Sequence, residues 1–215
     1  MRKLHVLLIF ILLLVSCKKE PKTILINGNV ADKYTCDAVS GAKVLLQANG
    51  IIDGVYNSNY TTLQSKTTDS QGNFRFELKE SSYDSYRFKI EKNGYYEEMT
   101  IFENSSFSSK DVYNLDFKIM SKAFVRLHFK NVNPFDENDK MVFSLQNNPI
   151  DELYGGYTEA RVLTGVNVDT SFLCNTAGGF DLILRKELFR DAVYTIKDDT
   201  FKTIPFDTLS KEVFY

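Results

Sequence analysis

The sequence predicts an all-β protein, two small β-sandwich domains in tandem, and three observations lead there. Apolar residues recur at every second position in short segments, as in Asn73-Phe74-Arg75-Phe76-Glu77-Leu78. Such alternation puts one face of a strand on a core and the other in solvent. Clusters of Gly, Asn, Asp and Ser separate these segments, and no window after residue 22 sustains helical spacing. The 215 residues suffice for two domains, and 43% hydrophobic residues can bury a core in each. With 13% aromatic residues and no Trp, those cores are expected to rest on Phe and Tyr.

The chain opens with Arg2 and Lys3, then an apolar run from Leu4 to Val15 broken only by His5. This run is too short to cross a bilayer as a helix and matches the core of an export signal. It closes on Leu14-Val15-Ser16-Cys17. The tetrapeptide resembles the bacterial lipobox, which implies cleavage after Ser16 and a covalent lipid on Cys17. Residues 1–16 are then a lipoprotein signal peptide, and 17–23 the lipidated cysteine and its tether. Several acyl chains on one residue give stable attachment, each buried methylene adding about 0.8 kcal/mol. Lys18 follows the cysteine where Asp would signal inner-membrane retention. By resemblance to Gram-negative sorting this implies an outer-membrane lipoprotein, on either the periplasmic or the surface face. Losing Arg2 and Lys3 leaves 24 of the 26 basic residues against 28 acidic ones, a net charge of about −4. No basic stripe is present to neutralise phosphates, so no nucleic-acid partner is expected.

Strands of the first domain are read at Thr23 to Val30, Ala42 to Gln47, Tyr60 to Lys66, Asn73 to Leu78, Tyr86 to Glu91, Tyr95 to Phe102 and Tyr113 to Ile119. Asp69-Ser70-Gln71-Gly72-Asn73 and Asn93-Gly94 are turns, because Gly and Asn accept positive φ while Asp and Ser bond nearby backbone. The first of these is expected to close a hairpin, and Asn49 to Asn59 to form an extended loop. Gly28-Asn29-Val30, Ser40-Gly41-Ala42-Lys43-Val44, Thr67-Thr68-Asp69-Ser70-Gln71-Gly72-Asn73-Phe74 and Lys92-Asn93-Gly94-Tyr95 together resemble the carboxypeptidase regulatory-like (transthyretin-like) domain. The resemblance covers residues 24–119. It implies a β-sandwich and says little of function, since the module accompanies transporters, enzymes and adhesins alike.

Residues 120–215 form the second β-sandwich-like domain. Its strands are read at Phe124 to Phe129, Met141 to Leu145, Val166 to Leu173, Phe180 to Leu184, Ala192 to Ile196, Thr200 to Phe206 and Lys211 to Tyr215, with room for a short helix at Glu187 to Val193. No internal sequence repeat links the two halves.

The inventory of reactive groups is short. His128 is the one histidine beyond the signal segment. A zinc carboxypeptidase centre uses two histidines and a glutamate, so the resemblance brings the regulatory sandwich without the catalytic site. Cys36 and Cys174 either pair or stay free, and their placement in different domains favours two free thiols. Asn131 to Asp139 concentrates oxygen donors; it reads as a turn, and if calcium binds, Asp136, Asn138 and Asp139 are the candidate ligands. Tyr95, Tyr96, Tyr154 and Tyr157 stand beside glycines and are candidates for stacking on a glycan or peptide. No phosphate loop, nucleophile elbow or paired catalytic carboxylates stand out. The expected function is that of a non-catalytic, membrane-tethered interaction or structural module docking an envelope partner. A surface glycan- or peptide-binding subunit is the alternative, and a carboxylate-dependent hydrolase a further one. No cofactor beyond the lipid on Cys17 is expected.

Overall fold

The computed structural model describes residues 23–52, 54–79, 83–108 and 110–215. Residues 1–22, which hold the expected signal peptide, Cys17 and most of the expected tether, lie outside these residues. The first sandwich comprises β1 (Thr23–Asp32), β2 (Lys43–Ile52), β3 (Val55–Thr67), β4 (Asn73–Lys79), β5 (Tyr83–Glu91), β6 (Glu98–Glu103) and β7 (Val112–Ile119). One sheet has the order β4-β1-β7, with β1 antiparallel to β4 and parallel to β7. The facing sheet has the order β3-β2-β5-β6, antiparallel throughout. Alternation buries Ile24 and Ile26 of β1, Val44 and Leu46 of β2, Phe74, Phe76 and Leu78 of β4, and Phe88 and Ile90 of β5. Phe88 packs its ring on Phe76, Phe102 and Phe117, so the core is aromatic as the composition requires.

The second sandwich comprises β8 (Lys122–Lys130), β9 (Lys140–Gln146), β10 (Arg161–Thr164), β11 (Asp169–Ala177), β12 (Asp181–Arg190), β13 (Val193–Lys202) and β14 (Thr208–Phe214). Its sheets are β11-β8-β14 and β10-β9-β12-β13. Counted from its own first strand, the order and sense of every pairing repeat those of the first sandwich, down to the last strand lying parallel to the first. The two halves are thus one topology used twice, without a sequence repeat. Its core holds Val125, Leu127 and Phe129 of β8 against Met141, Phe143, Leu145, Leu182 and Leu184.

The sandwiches meet end to end. Asp32, at the end of β1 and only 2% exposed, accepts the backbone N–H of Tyr34 and Thr35 on Oδ1 and that of Ser121 on Oδ2. The Lys122 amide donates to the Gly94 carbonyl at 2.7 Å, and the Tyr96 amide to that of Met120 at 2.9 Å. Aromatic residues complete the joint: Tyr34 packs on Phe180 and Tyr95 on Phe206, with ring centroids 4.7 and 5.2 Å apart. The Tyr96 hydroxyl donates to the Thr176 carbonyl at 3.2 Å. Ring packing together with hydrogen-bonded backbone groups makes this a fixed joint rather than a free linker.

Several expectations are corrected. Asn49 to Asn59 is not a loop but the end of the β2–β3 hairpin, where register shifts between Leu46 and Gln47 and between Ala48 and Gly50 break the alternation. The Asp69–Asn73 turn closes no hairpin; it carries the chain from β3 in one sheet to β4 in the other. Its Asp69 carboxylate takes the amides of Gln71 and Asn73. Glu187 to Val193 holds no helix: β12 and β13 pair through Arg190 and Val193, with Asp191 and Ala192 turning at φ 48° and 57°. Positive φ on Asp and Ala replaces the glycine that would have announced the turn. Ala192 to Ile196 and Thr200 to Phe206 are not two strands: β13 runs unbroken from Val193 to Lys202. β10, only four residues long, lay below what alternation reveals.

Candidate functional site

The topology defines two poles for each sandwich. β1 and β7 both run toward the joint, and β8 and β14 run away from it. Thr23, the first residue of β1, therefore lies at the far end of the first sandwich. The loops Asn131 to Asp139 and Asp191-Ala192 lie at the opposite end of the second, which we call the tip. Each sandwich extends about 30 Å along nine- to ten-residue strands.

At the tip a polar network ties three segments together. Asp139, 1% exposed, accepts from the Phe135 amide at 3.0 Å, from Asn131 Nδ2 at 3.1 Å and from Arg190 Nε at 3.0 Å. Arg190 Nη2 donates to Asn131 Oδ1 at 2.7 Å, and its guanidinium lies over the Tyr215 ring. Burial pushes the Asp139 carboxyl upward, but the Phe135 amide, Asn131 and Arg190 together hold it below the ordinary range. Of the three calcium candidates, Asp139 is therefore committed to an arginine. Asp136 makes an Asx turn, accepting the Asn138 amide at 2.8 Å.

Above this network lies a cleft of about 360 Å³. Phe135, 58% exposed, stands on the loop side, and Phe189 with Tyr194 on the strand side. The latter two rings stack at 4.4 Å between centroids. Arg190, Asp136, Asn138 and Asp191 supply the polar lining. Asp136 and Asn138 are the residues that sequence reasoning placed here, as calcium ligands. Phe135, Phe189, Arg190, Asp191 and Tyr194 were missed. The sequence signal that could have found them is the alternation of Phe189 and Tyr194 about an Asp-Ala turn.

The four tyrosines considered for stacking occupy separate environments. Tyr95 and Tyr96 are half-buried in the joint. Tyr157, at φ 51°, packs edge-on against Phe172 beside Arg161. Tyr154 is 69% exposed, on the loop between β9 and β10.

His128 lies on the outer face of β8. Its Nε2 meets Asp169 Oδ1 of β11 at 2.8 Å and its Nδ1 meets Glu212 of β14, while Lys130 pairs with the other oxygen of Asp169. With both ring nitrogens facing carboxylates, the imidazole is a cation that clasps three strands, and among the described residues neither nitrogen hydrogen-bonds a hydroxyl or thiol, its cross-strand neighbour Ser171 included. Asp169 first, then Glu212, raises its pKa above 6.5. The clasp therefore stabilises fully below the unfolded-state value of about 6.5 and fades as pH rises through the raised folded value. Asp169, lowered by His128 and Lys130, contributes above the ordinary carboxylate value and loses its contribution as pH falls through the lowered one. The Tm deficit of His128→Gln is expected to be largest near pH ~5–6 and to shrink toward pH ~9. A deficit that does not vary with pH would exclude a charged clasp.

Cys36 is an exposed free thiol at φ 65°, and Cys174 a buried one. Burial, with Glu152 adding to it, pushes the Cys174 thiol up to about 12. Iodoacetamide is expected to label Cys36 in the native protein and Cys174 only after denaturation. Native labelling of both would contradict this placement.

The fold and tip define a tandem β-sandwich protein with an aromatic cleft at one end. No family model matches the chain, and no curated protein matches it. Among solved structures it is similar to the Bacillus anthracis TIE protein, with TM-score 0.36 and 13% identity over 89% of this chain and 34% of that one. A chlorocatechol 1,2-dioxygenase from Pseudomonas putida gives TM-score 0.34 and 19% identity over 49% of this chain and 63% of that one. The shaft pilin spaA from Lactobacillus rhamnosus GG gives TM-score 0.32 and 10% identity over 90% and 96%. The chain spans about a third of the TIE protein.

Proposed function

We propose that this chain is an outer-membrane lipoprotein, anchored through Cys17, that holds a binding tip away from the bilayer and performs no catalysis of its own. The first sandwich is assigned to the carboxypeptidase regulatory-like class on the sequence motifs quoted above. One observation carries the role. At the end of the first sandwich, aromatic residues from the β1–β2 and β5–β6 connections (Tyr34 and Tyr95) grip the second sandwich. At the equivalent pole of the second sandwich the β8–β9 connection presents Phe135, and the start of β13, just after the β12–β13 turn, presents Tyr194; among the described residues no element of the chain covers them. The pole that is a docking surface in the first domain is thus repeated, open, in the second. A lipid tether at one end and an open docking pole at the other suit a presenting module, with a fixed joint between them.

Membrane fractionation of cells expressing the wild type and Cys17→Ser tests the anchor. The wild type is expected in the outer-membrane fraction and the variant in the soluble one; a wild type that stays soluble would overturn the reading. Protease shaving of intact beside lysed cells assigns the face. Cleavage on intact cells places the tip outside, and cleavage only after lysis places it in the periplasm.

A further inference from the structure

We infer that the tip cleft is a binding site for a neutral saccharide. This rests on the reading of the tip as a binding surface and adds the chemistry of its ligand. The cleft's size, about 360 Å³, suits one or two sugar rings rather than the flat face of a folded partner. Its lining includes the exposed rings of Phe135 and Tyr194, the latter backed by Phe189, which stacks on it and carries Lys140 Nζ over its own ring at 5.0 Å. Exposed aromatic faces of this kind take up a ring that is apolar on one side and hydroxylated at its edge.

The lining offers polar groups of both kinds. Arg190 lies in the cleft, held by Asp139, which offsets its charge, and by Asn131, and it keeps further N–H donors for a guest. Asp136 and Asp191 form no ion pair among the described residues, and an anionic guest meets both. A neutral guest carrying hydroxyls satisfies the two sets together. Hydroxyls donate to the carboxylates and to Asn138 Oδ1, and accept from the guanidinium. The Tyr194 hydroxyl is already engaged, donating to Glu187 at 2.9 Å, so the tyrosine contributes its ring face.

The test is binding of the full-length lipoprotein in detergent to an array of neutral oligosaccharides built on glucose, mannose, galactose and xylose. An oligouronate and an oligolysine serve as charged comparators. A neutral oligosaccharide is expected to bind, and Tyr194→Ala and Phe135→Ala each to weaken it about tenfold. Tyr194→Phe, which keeps the ring, is expected to bind nearly as the wild type, which separates loss of the ring from loss of fold. Tyr154→Ala, away from the cleft, is expected to change nothing. Binding of only a charged comparator, neutral binding that survives both alanine variants, or no binding at all would overturn the proposal. A photo-crosslinker at Ala192 in cells separates the two readings. Capture of a protein there without saccharide binding overturns the ligand class and leaves the tip a docking surface; no crosslink and no binding overturn both.

Discussion

Gly28→Val is expected to destabilise the first sandwich by about 1–3 kcal/mol through overpacking. Gly28 stands opposite Phe74 on the core face of β1, and the aromatic ring occupies the space a side chain would fill. A Cβ there would lie 2.0 Å from Cζ, 2.3 Å from Cε1 and 2.6 Å from Cε2 of that ring. Phe74 cannot step aside freely, because its ring also packs on Phe76 and Phe117 at 5.5 and 6.0 Å between centroids. In a domain of roughly 100 residues each kcal/mol corresponds to about 4–8 °C in Tm. Calorimetry of Gly28→Val beside Gly28→Val/Phe74→Leu provides the check. The second substitution is expected to recover part of the loss by making room. A double variant less stable than either single one would mean that the ring and the glycine do not share that space.

Asp32→Asn is expected to uncouple the two sandwiches. One carboxylate oxygen takes two loop amides at 2.9 and 3.0 Å, and the other takes the Ser121 amide at 3.2 Å. An amide side chain offers one acceptor and one donor, so whichever way it is placed, a buried N–H faces an NH₂ group. Hydrogen bonds to a charged acceptor are worth about 1.5–3 kcal/mol each, and a buried amide left without a partner adds its own penalty. The expected result is a loss of at least about 2 kcal/mol at the joint. Unfolding of the two domains should then separate into two calorimetric transitions, with a broader range of interdomain distances in solution scattering. An unchanged single transition would show that the rings of Tyr34 and Tyr95 hold the joint without the carboxylate.

Much of the fold was legible because the physics behind it is local. β4 and β8 alternate cleanly, one face apolar and the other polar, so their strand character and buried faces follow from spacing alone. The β2–β3 hairpin was illegible because bulges shift the phase of its alternation, and because nearly all of β3 faces solvent and carries no buried stripe. The β12–β13 turn was illegible because its positive φ angles fall on Asp191 and Ala192, which carry no local signal as strong as glycine. The cleft followed the same logic. Asp136 and Asn138 drew notice by their oxygen chemistry. Their aromatic neighbours Phe189 and Tyr194 sit more than fifty positions further along and come together with them only through the pairing of β9 with β12 and of β12 with β13.

By itself the sequence determined the all-β class, the division into two domains, the aromatic character of the cores and the expectation of a lipid anchor. Each of these depends on composition or on spacing within a few residues. Only the tertiary structure decided that both domains share one topology, that they are joined end to end through Asp32 and a set of rings, and that among the described residues the corresponding end of the second domain stays uncovered. Those properties depend on which strands pair across the chain. That choice is made by burying complementary faces from distant segments, and no local window of residues contains it.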